Sequence, residues 1–351
     1  GLNWAKADIR FDLSKEVNEP NKVGYVVEID PLNPNSTPKK HTALGRFKHE
    51  NAELVISKDG KIIVYMGDDE RGEYLYKYVS NESINEVKDK STLLSNGNLY
   101  VAKFNDNFTG EWLLLDTQTT GLSSKAEVCI FTRLAASKVG ATTMDRPEWI
   151  ASNPKKNEVC CCLTNNKNRG IKTNKGGDKV DVDKVNPRKN NKYGQIVRWK
   201  PRDNNHSSVY FEWDLFVVAG NPNVHDDNNR GSKNIDKENM FNSPDGLKFD
   251  KYGRLWIQTD GNYSNSGDFK GMGNNQMLIA DTNTGKIKRF MVGPKECEVT
   301  GLTFAPDYKT VFVGIQHPGE RLGSNFPDKG NNKPRSCVIA IQKKDGSEIL
   351  T

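Results

Sequence analysis

One phrase recurs four times along the chain, and this repetition restricts the possible folds more than any other feature. The clearest copy opens at Asp245. It continues through the apolar stretch Leu247-Lys-Phe249, turns at Asp250-Lys-Tyr-Gly253, returns through Leu255-Trp-Ile257 and closes on the polar Asp260. Apolar residues alternating over about four to eight positions on each side of such a turn predict a β-hairpin. The other copies open at Glu50, Glu148 and Glu298 and close at Asp68-Asp-Glu70, Asn165-Asn166 and Gln316-His317.

Each hairpin is followed by material for an outer pair of strands. The pattern places strands near 52–57, 61–66 and 73–79, with one more within 98–115. It then places them near 149–152, 158–164, 194–199 and 209–218, near 246–250, 254–259, 276–280 and 286–292, and near 301–305, 310–316 and 337–343. Upstream, 23–30 and the stretch from Lys39 to Phe47 read as a strand pair. The acids at 245 and 298 stand about 50 residues apart, close to the ~40–50 residues of a propeller blade. The two earlier intervals are about twice as long and imply insertions. Within these, Thr132 to Val139 is the only short helix candidate, and Lys167 to Lys192 and Val224 to Glu238 are Asn/Lys/Gly-rich loops. Repeated four-stranded sheets predict an all-β fold, a β-propeller with long loop insertions. The chain enters on the outer half of one blade, so residues 1–351 read as a single propeller domain. They are expected to be part of a larger ring, about six-bladed, whose upstream blades are absent.

Composition adds limits. The net charge of +6 is a slight excess that fits a Lys-rich solvated face, and no nucleic-acid partner is expected. No apolar run approaches the ~18 residues of a membrane span. The opening Gly1-Leu-Asn-Trp4 lacks an initiating Met, and no signal-peptide pattern is read there. The six cysteines lack zinc spacing. Cys160, Cys161 and Cys162 are consecutive in a predicted strand, where neighbours point to opposite faces, so they read as buried apolar filler.

The innermost strand of each propeller blade lines the central channel, and the second strand returns antiparallel to it. The start of the first and the end of the second therefore share one face. Propeller symmetry gathers Glu50, Glu148, Asp245 and Glu298 at one channel mouth, with Asn165 and Asp260 at matching strand ends. A single such acid is explained by hydrogen bonds from turn N–H groups. Four in phase would repel unless cations relieve them. Carboxylate and amide oxygens suit calcium, with iron or manganese as further choices. Basic residues stand beside the acids: Arg46, Lys48 and His49 before Glu50, and Arg146 before Glu148. Arg146 is either a surface partner of Asp145 or, stiffened by Pro147, a bidentate clamp for a phosphate or carboxylate. Metals and an arginine at one mouth suit metal-assisted hydrolysis of a phosphate ester, with Arg146 in the catalytic role and Lys48 and His49 as further substrate contacts.

The runs Gly45-Arg-Phe-Lys-His-Glu50, Met144-Asp-Arg-Pro-Glu-Trp-Ile150, Leu163-Thr-Asn-Asn166, Asn242-Ser-Pro-Asp-Gly-Leu247, Asn274-Asn-Gln-Met277, Cys297-Glu-Val-Thr-Gly301 and Gln316-His-Pro-Gly319 resemble the PhoX-type alkaline phosphatases, over about residues 10–345. The resemblance implies a propeller enzyme exported by the twin-arginine route to the periplasm or medium. It also implies a mixed Ca2+ and Fe3+ centre that hydrolyses phosphate monoesters. On this likeness Glu50, Glu148 and Asp245 match metal ligands and Arg146 a phosphate binder, whereas Glu298, Asn165 and Asp260 rest mainly on symmetry. Family members are longer, and an N-terminal section brings an iron-binding cysteine in a Cys/Asn-rich stretch that has no counterpart here. The chain alone is therefore expected to be weakly active or inactive. Two alternatives remain: a non-catalytic calcium-binding propeller, and a calcium-dependent propeller acting on lactones or organophosphates.

Overall fold

The computed structural model describes residues 3–349; residues 1, 2, 350 and 351, which the expected 1–351 domain includes, lie outside the described residues. After a short helix α1 (Trp4–Ala7), β1 (Val26–Glu28) and β2 (Lys39–His41) pair antiparallel as a small sheet of their own. The first repeat contributes β3 (His49–Ile56), β4 (Lys61–Asp68), β5 (Leu75–Ser83) and β6 (Gly97–Phe104), and then a fifth strand, β7 (Thr109–Leu115). Helices α2 (Thr117–Thr120), α3 (Lys125–Ile130) and α4 (Thr132–Lys138) follow. The second repeat is β8 (Pro147–Ser152), β9 (Val159–Leu163), β10 (Gln195–Pro201) and β11 (Tyr210–Val218). The third is β12 (Pro244–Phe249), β13 (Arg254–Thr259), β14 (Gln276–Asp281) and β15 (Ile287–Val292), and the fourth is β16 (Glu298–Phe304), β17 (Thr310–Gln316) and β18 (Cys337–Gln342).

These strands form a mostly β, propeller-like array with the inner strands in the row β3, β8, β12, β16, each packed beside the next. One feature departs from separate four-stranded sheets. The 98–115 stretch holds a hairpin, not one strand, and β7 pairs with β11 through Tyr210↔Glu111 and Glu212↔Thr109. The first two repeats thereby fuse into one nine-stranded sheet. The turn between β6 and β7 is Asn105-Asp-Asn107-Phe108, with Phe108 at φ 64°. Asn and Asp favour such turns because their side chains bond the local backbone, as Asn107 does in accepting from the Thr109 amide. The insertion also carries two helices besides the expected one. Asp116 caps α2 in a capping box with Thr119, and Ser124 caps α3.

The core lies between blades. Every residue of β9 is buried. Cys160 and Cys162 pack with Leu247 and Ile257 of the third repeat, while Cys161 packs on the opposite side with Ile63 and Trp199. A strand buried on both faces needs a continuous apolar run, which accounts for Val159-Cys-Cys-Cys-Leu163. Trp256 joins the third repeat to the fourth through Val299 and Val311. At the two ends of the row, apolar side chains face outward: Ile56 on β3 is 54% exposed and Val338 on β18 is 70% exposed. No helix among the described residues is long and apolar enough to cross a membrane.

Candidate metal centre

Three of the four opening acids stand in a register break. Between β3 and β4 the pairing jumps from His49 to Ala52, between β8 and β9 from Pro147 to Ile150, and between β12 and β13 from Pro244 to Leu247. Glu50, Glu148 and Asp245 occupy those gaps. A β-bulge bends its strand and re-aims a side chain. Here each bulge turns its acid toward the other two, so that one carboxylate oxygen from each residue lies within 4.8 Å of the others. The glycine after Asp245 leaves room for a neighbouring side chain. A Cβ at Gly246 would sit 2.4 Å from Gln258 Oε1.

The electrostatics follow from that crowding. Glu148 and Asp245 are buried, whereas Glu50 reaches solvent. Burial, followed by the charges of Asp245 and Asp69, pushes Glu148 up to about 12. Burial and then Glu298 raise Asp245 well above its ordinary value. Burial and then Asp69 raise Glu50, with Glu148 and Arg146 opposing the shift. Without a cation the crowding favours the protonated form, above all at Glu148. A hard cation would relieve the same crowding, because an all-oxygen donor set matches its coordination. Gln258 adds a second sign of unmet polarity: its amide is 1% exposed, and neither end has a hydrogen-bond partner among the described residues.

Arg146 projects into the same place. Its guanidinium donates to Asp69 Oδ1 at 2.7 Å, Asp69 Oδ2 at 3.0 Å and Glu148 Oε1 at 3.0 Å. Asp145, the alternative partner, is committed to Arg169 instead. Burial would lower the Arg146 pKa, but Asp69 and Glu148 more than reverse this and keep the side chain charged. Its backbone sits at φ 58°, a conformation that costs a non-glycine residue about 1–3 kcal/mol unless its surroundings impose it. In the sequence Asp69 stands only as part of a polar strand end. Its bidentate grip on Arg146 makes it a member of the site.

The fourth repeat is built differently. Glu298 pairs in register with Gln316, and its bulge comes later, between Thr300 and Thr303. Its carboxylate consequently joins Asp260, at the end of β13, and His317, just past β17, in a second group whose ligand atoms lie within 4.8 Å of one another. Gln316 donates to Glu298, and His317 Nε2 stands 3.6 Å from it. Burial raises both Asp260 and Glu298. His317, at φ 40°, keeps Nδ1 without a partner among the described residues.

The remaining candidates make other contacts. Asn165 follows β9 and donates to Ser243 Oγ at 3.2 Å. Lys48 pairs with Glu70 at 2.9 Å. The His49 ring is stacked on Phe47 at 3.7 Å and bonded to the Gly45 carbonyl, and burial lowers its pKa to about 4. Neither Lys48 nor His49 is brought to the carboxylates. For His49 the strand period explains this, because the immediate neighbour of Glu50 points to the opposite face, whereas Lys48 precedes β3 and is engaged by Glu70.

A propeller whose mouth carries two carboxylate groups and a clamped arginine defines a protein suited to holding cations and an anion together. The chain belongs to the alkaline phosphatase PhoX family, whose model it matches over residues 3–319. Among solved structures it is similar to Pseudomonas fluorescens PhoX in complex with vanadate, a transition state analogue, at 55% identity and a TM-score of 0.93. That alignment covers 99% of this chain and 62% of that chain. A luciferin-regenerating enzyme aligns at 9% identity over 88% of this chain and 81% of that chain, with a TM-score of 0.34. The Xanthomonas campestris gluconolactonase XC5397 aligns at 10% identity over 79% of this chain and 71% of that chain, with a TM-score of 0.27. The search of curated proteins returns no match.

Proposed function

We propose that this protein is a metal-dependent alkaline phosphatase that hydrolyses phosphate monoesters at the channel mouth. The observation that carries this reading is Arg146, held beside the converging Glu50, Glu148 and Asp245. Those three acids would hold the first cation, and Asp260, Glu298 and His317 are candidates for a second. The oxygen donors suit Ca2+, and the family resemblance adds Fe3+. When bound, such ions polarise a phosphoryl group and activate its attacking oxygen. The protein's own part is to position and to neutralise. Arg146 would exchange its Asp69 contact for two phosphate oxygens, since carboxylate and phosphate present similar bidentate acceptors. Buried acids on three separate blades would keep the cations fixed relative to that arginine.

We further propose an exported, periplasmic or secreted protein. The outward-facing Ile56 and Val338, at opposite ends of the blade row, support a domain completed by further blades of the same ring. Hydrolysis of a chromogenic phosphate monoester, measured together with bound calcium and iron, tests the function. Calcium retention without hydrolysis, with iron absent, would favour the calcium-binding propeller instead.

A further inference from the structure

We propose that Arg169 is a positioning residue for Arg146, acting through a buried ion pair with Asp145; this rests on the phosphatase reading. Arg169 and Asp145 are each 0% exposed. The Arg169 guanidinium donates to Asp145 Oδ1 at 2.7 Å, the Thr143 hydroxyl at 3.2 Å, the Thr143 carbonyl at 2.9 Å and the Asp181 carbonyl at 2.8 Å. The second Asp145 oxygen accepts from Asn191 at 2.9 Å, and Asn191 also donates to Gln195 at 2.6 Å. One side chain thus fixes Thr143 and Asp145, which lead directly into Arg146.

The backbone around the pair is tied in the same way. Asp145 bridges Arg71, the Gly72 amide donates to the Met144 carbonyl and the Met144 amide to the Glu73 carbonyl, which joins this segment to 70–73, the chain just past Asp69. On the other side, the Arg169 amide donates to the Asn166 carbonyl, and Asn166 bridges Asn191. Arg169 therefore holds together three segments that carry site residues: Asp69, Arg146 and the turn after Asn165. Arg146 needs such support. It occupies the left-handed region at φ 58° and precedes a proline, which restricts its backbone further. A lysine at 169 would keep the charge beside Asp145 but lose the planar fork that reaches Thr143 and Asp181.

Two variants test the role: Arg169→Lys, and the double variant Arg169→Gln with Asp145→Asn, which leaves no lone buried charge. Each is compared with the parent for cooperative melting, for the calcium-induced rise in melting temperature, for inorganic phosphate affinity by calorimetry, and for kcat and KM. Both should fold and keep the calcium response while phosphate affinity falls about tenfold in the double variant, with a matching rise in KM. Arg169→Lys should lie between it and the parent. Phosphate affinity within twofold of the parent in a folded variant overturns the proposal. So does a calcium response lost in step with phosphate, or failure of both variants to fold, since the pair would then support the whole domain. A parent that neither binds nor hydrolyses phosphate overturns the phosphatase reading and this inference with it. An active parent with unaffected variants overturns the positioning role alone.

Discussion

The two acidic groups differ in how the strands present them. Glu50, Glu148 and Asp245 come from three inner strands, each broken by a bulge at the acid itself, and they meet an arginine. Glu298 comes from an inner strand still in register at that point, and it meets Asp260 and a histidine. The same residue type in the same repeat position therefore ends in different chemistry. Three residues' difference in where the bulge falls relative to the acid separates a site of three carboxylates, two of them buried, from a mixed one of two carboxylates and a histidine. The first group can hardly stand charged without a cation, whereas the second has His317 at hand to share its charge.

The largest expected effect probes the first group directly. Calcium at a hundredfold excess over its dissociation constant should stabilise the parent by about 2.7 kcal/mol. Glu148→Gln should remove that response and the hydrolytic activity together. In chelator near neutral pH the same variant should melt higher than the parent, because its neutral amide is buried without the proton uptake that Glu148 needs to fold. An unchanged calcium response in thermal melts would dissolve the distinction between the groups.

Arg146→Ala should keep the calcium response and weaken phosphate about 10- to 100-fold, the effect of removing charge-assisted hydrogen bonds worth about 1.5–3 kcal/mol. Equal loss of calcium and phosphate, measured by metal analysis and calorimetry, would make Arg146 a structural counter-ion of the acids.

The pH response sharpens the contrast further. Glu148 has its folded-state pKa raised to about 12, so the metal-free folded state binds a proton that the unfolded chain releases above its ordinary carboxyl range. Stability in chelator should therefore be full at pH ~4 and fall steadily as the pH rises toward 9, and calcium should flatten the slope. Melts across that range with Glu148→Gln beside the parent check this; identical slopes would show that other groups set it. The smallest effect belongs to the second group. His317→Ala should trim the calcium response by about 1 kcal/mol or less and leave phosphate affinity within about threefold, as expected for a partly exposed pair.

Much of this architecture is legible in the residue order. The hairpins at 50, 148, 245 and 298 follow from alternation around Asp/Gly turns, and the observed strands fall within a few residues of the expected ones. Three cysteines in succession identify a strand buried on both faces, and β9 is one. The hairpin within 98–115 was signalled by Asn105-Asp-Asn107, but β7 belongs to the second repeat's sheet edge only because its partner β11 arrives about a hundred residues later.

What the sequence by itself determined is local: the period of the strands, the turns, and the phase that brings an acid to the head of each blade. Alternation and turn chemistry act over a few residues, so they can be read in order along the chain. Tertiary structure alone decided which acids meet. Bulges set the aim of Glu50, Glu148 and Asp245, and in-register pairing sent Glu298 to Asp260 and His317. Strand alternation turned His49 aside and Glu70 engaged Lys48, and the fold delivered Asp69 to Arg146 and Arg169 to Asp145 from distant segments. The energies of those encounters depend on burial and on charges brought close in space, which no neighbouring residue in the sequence records.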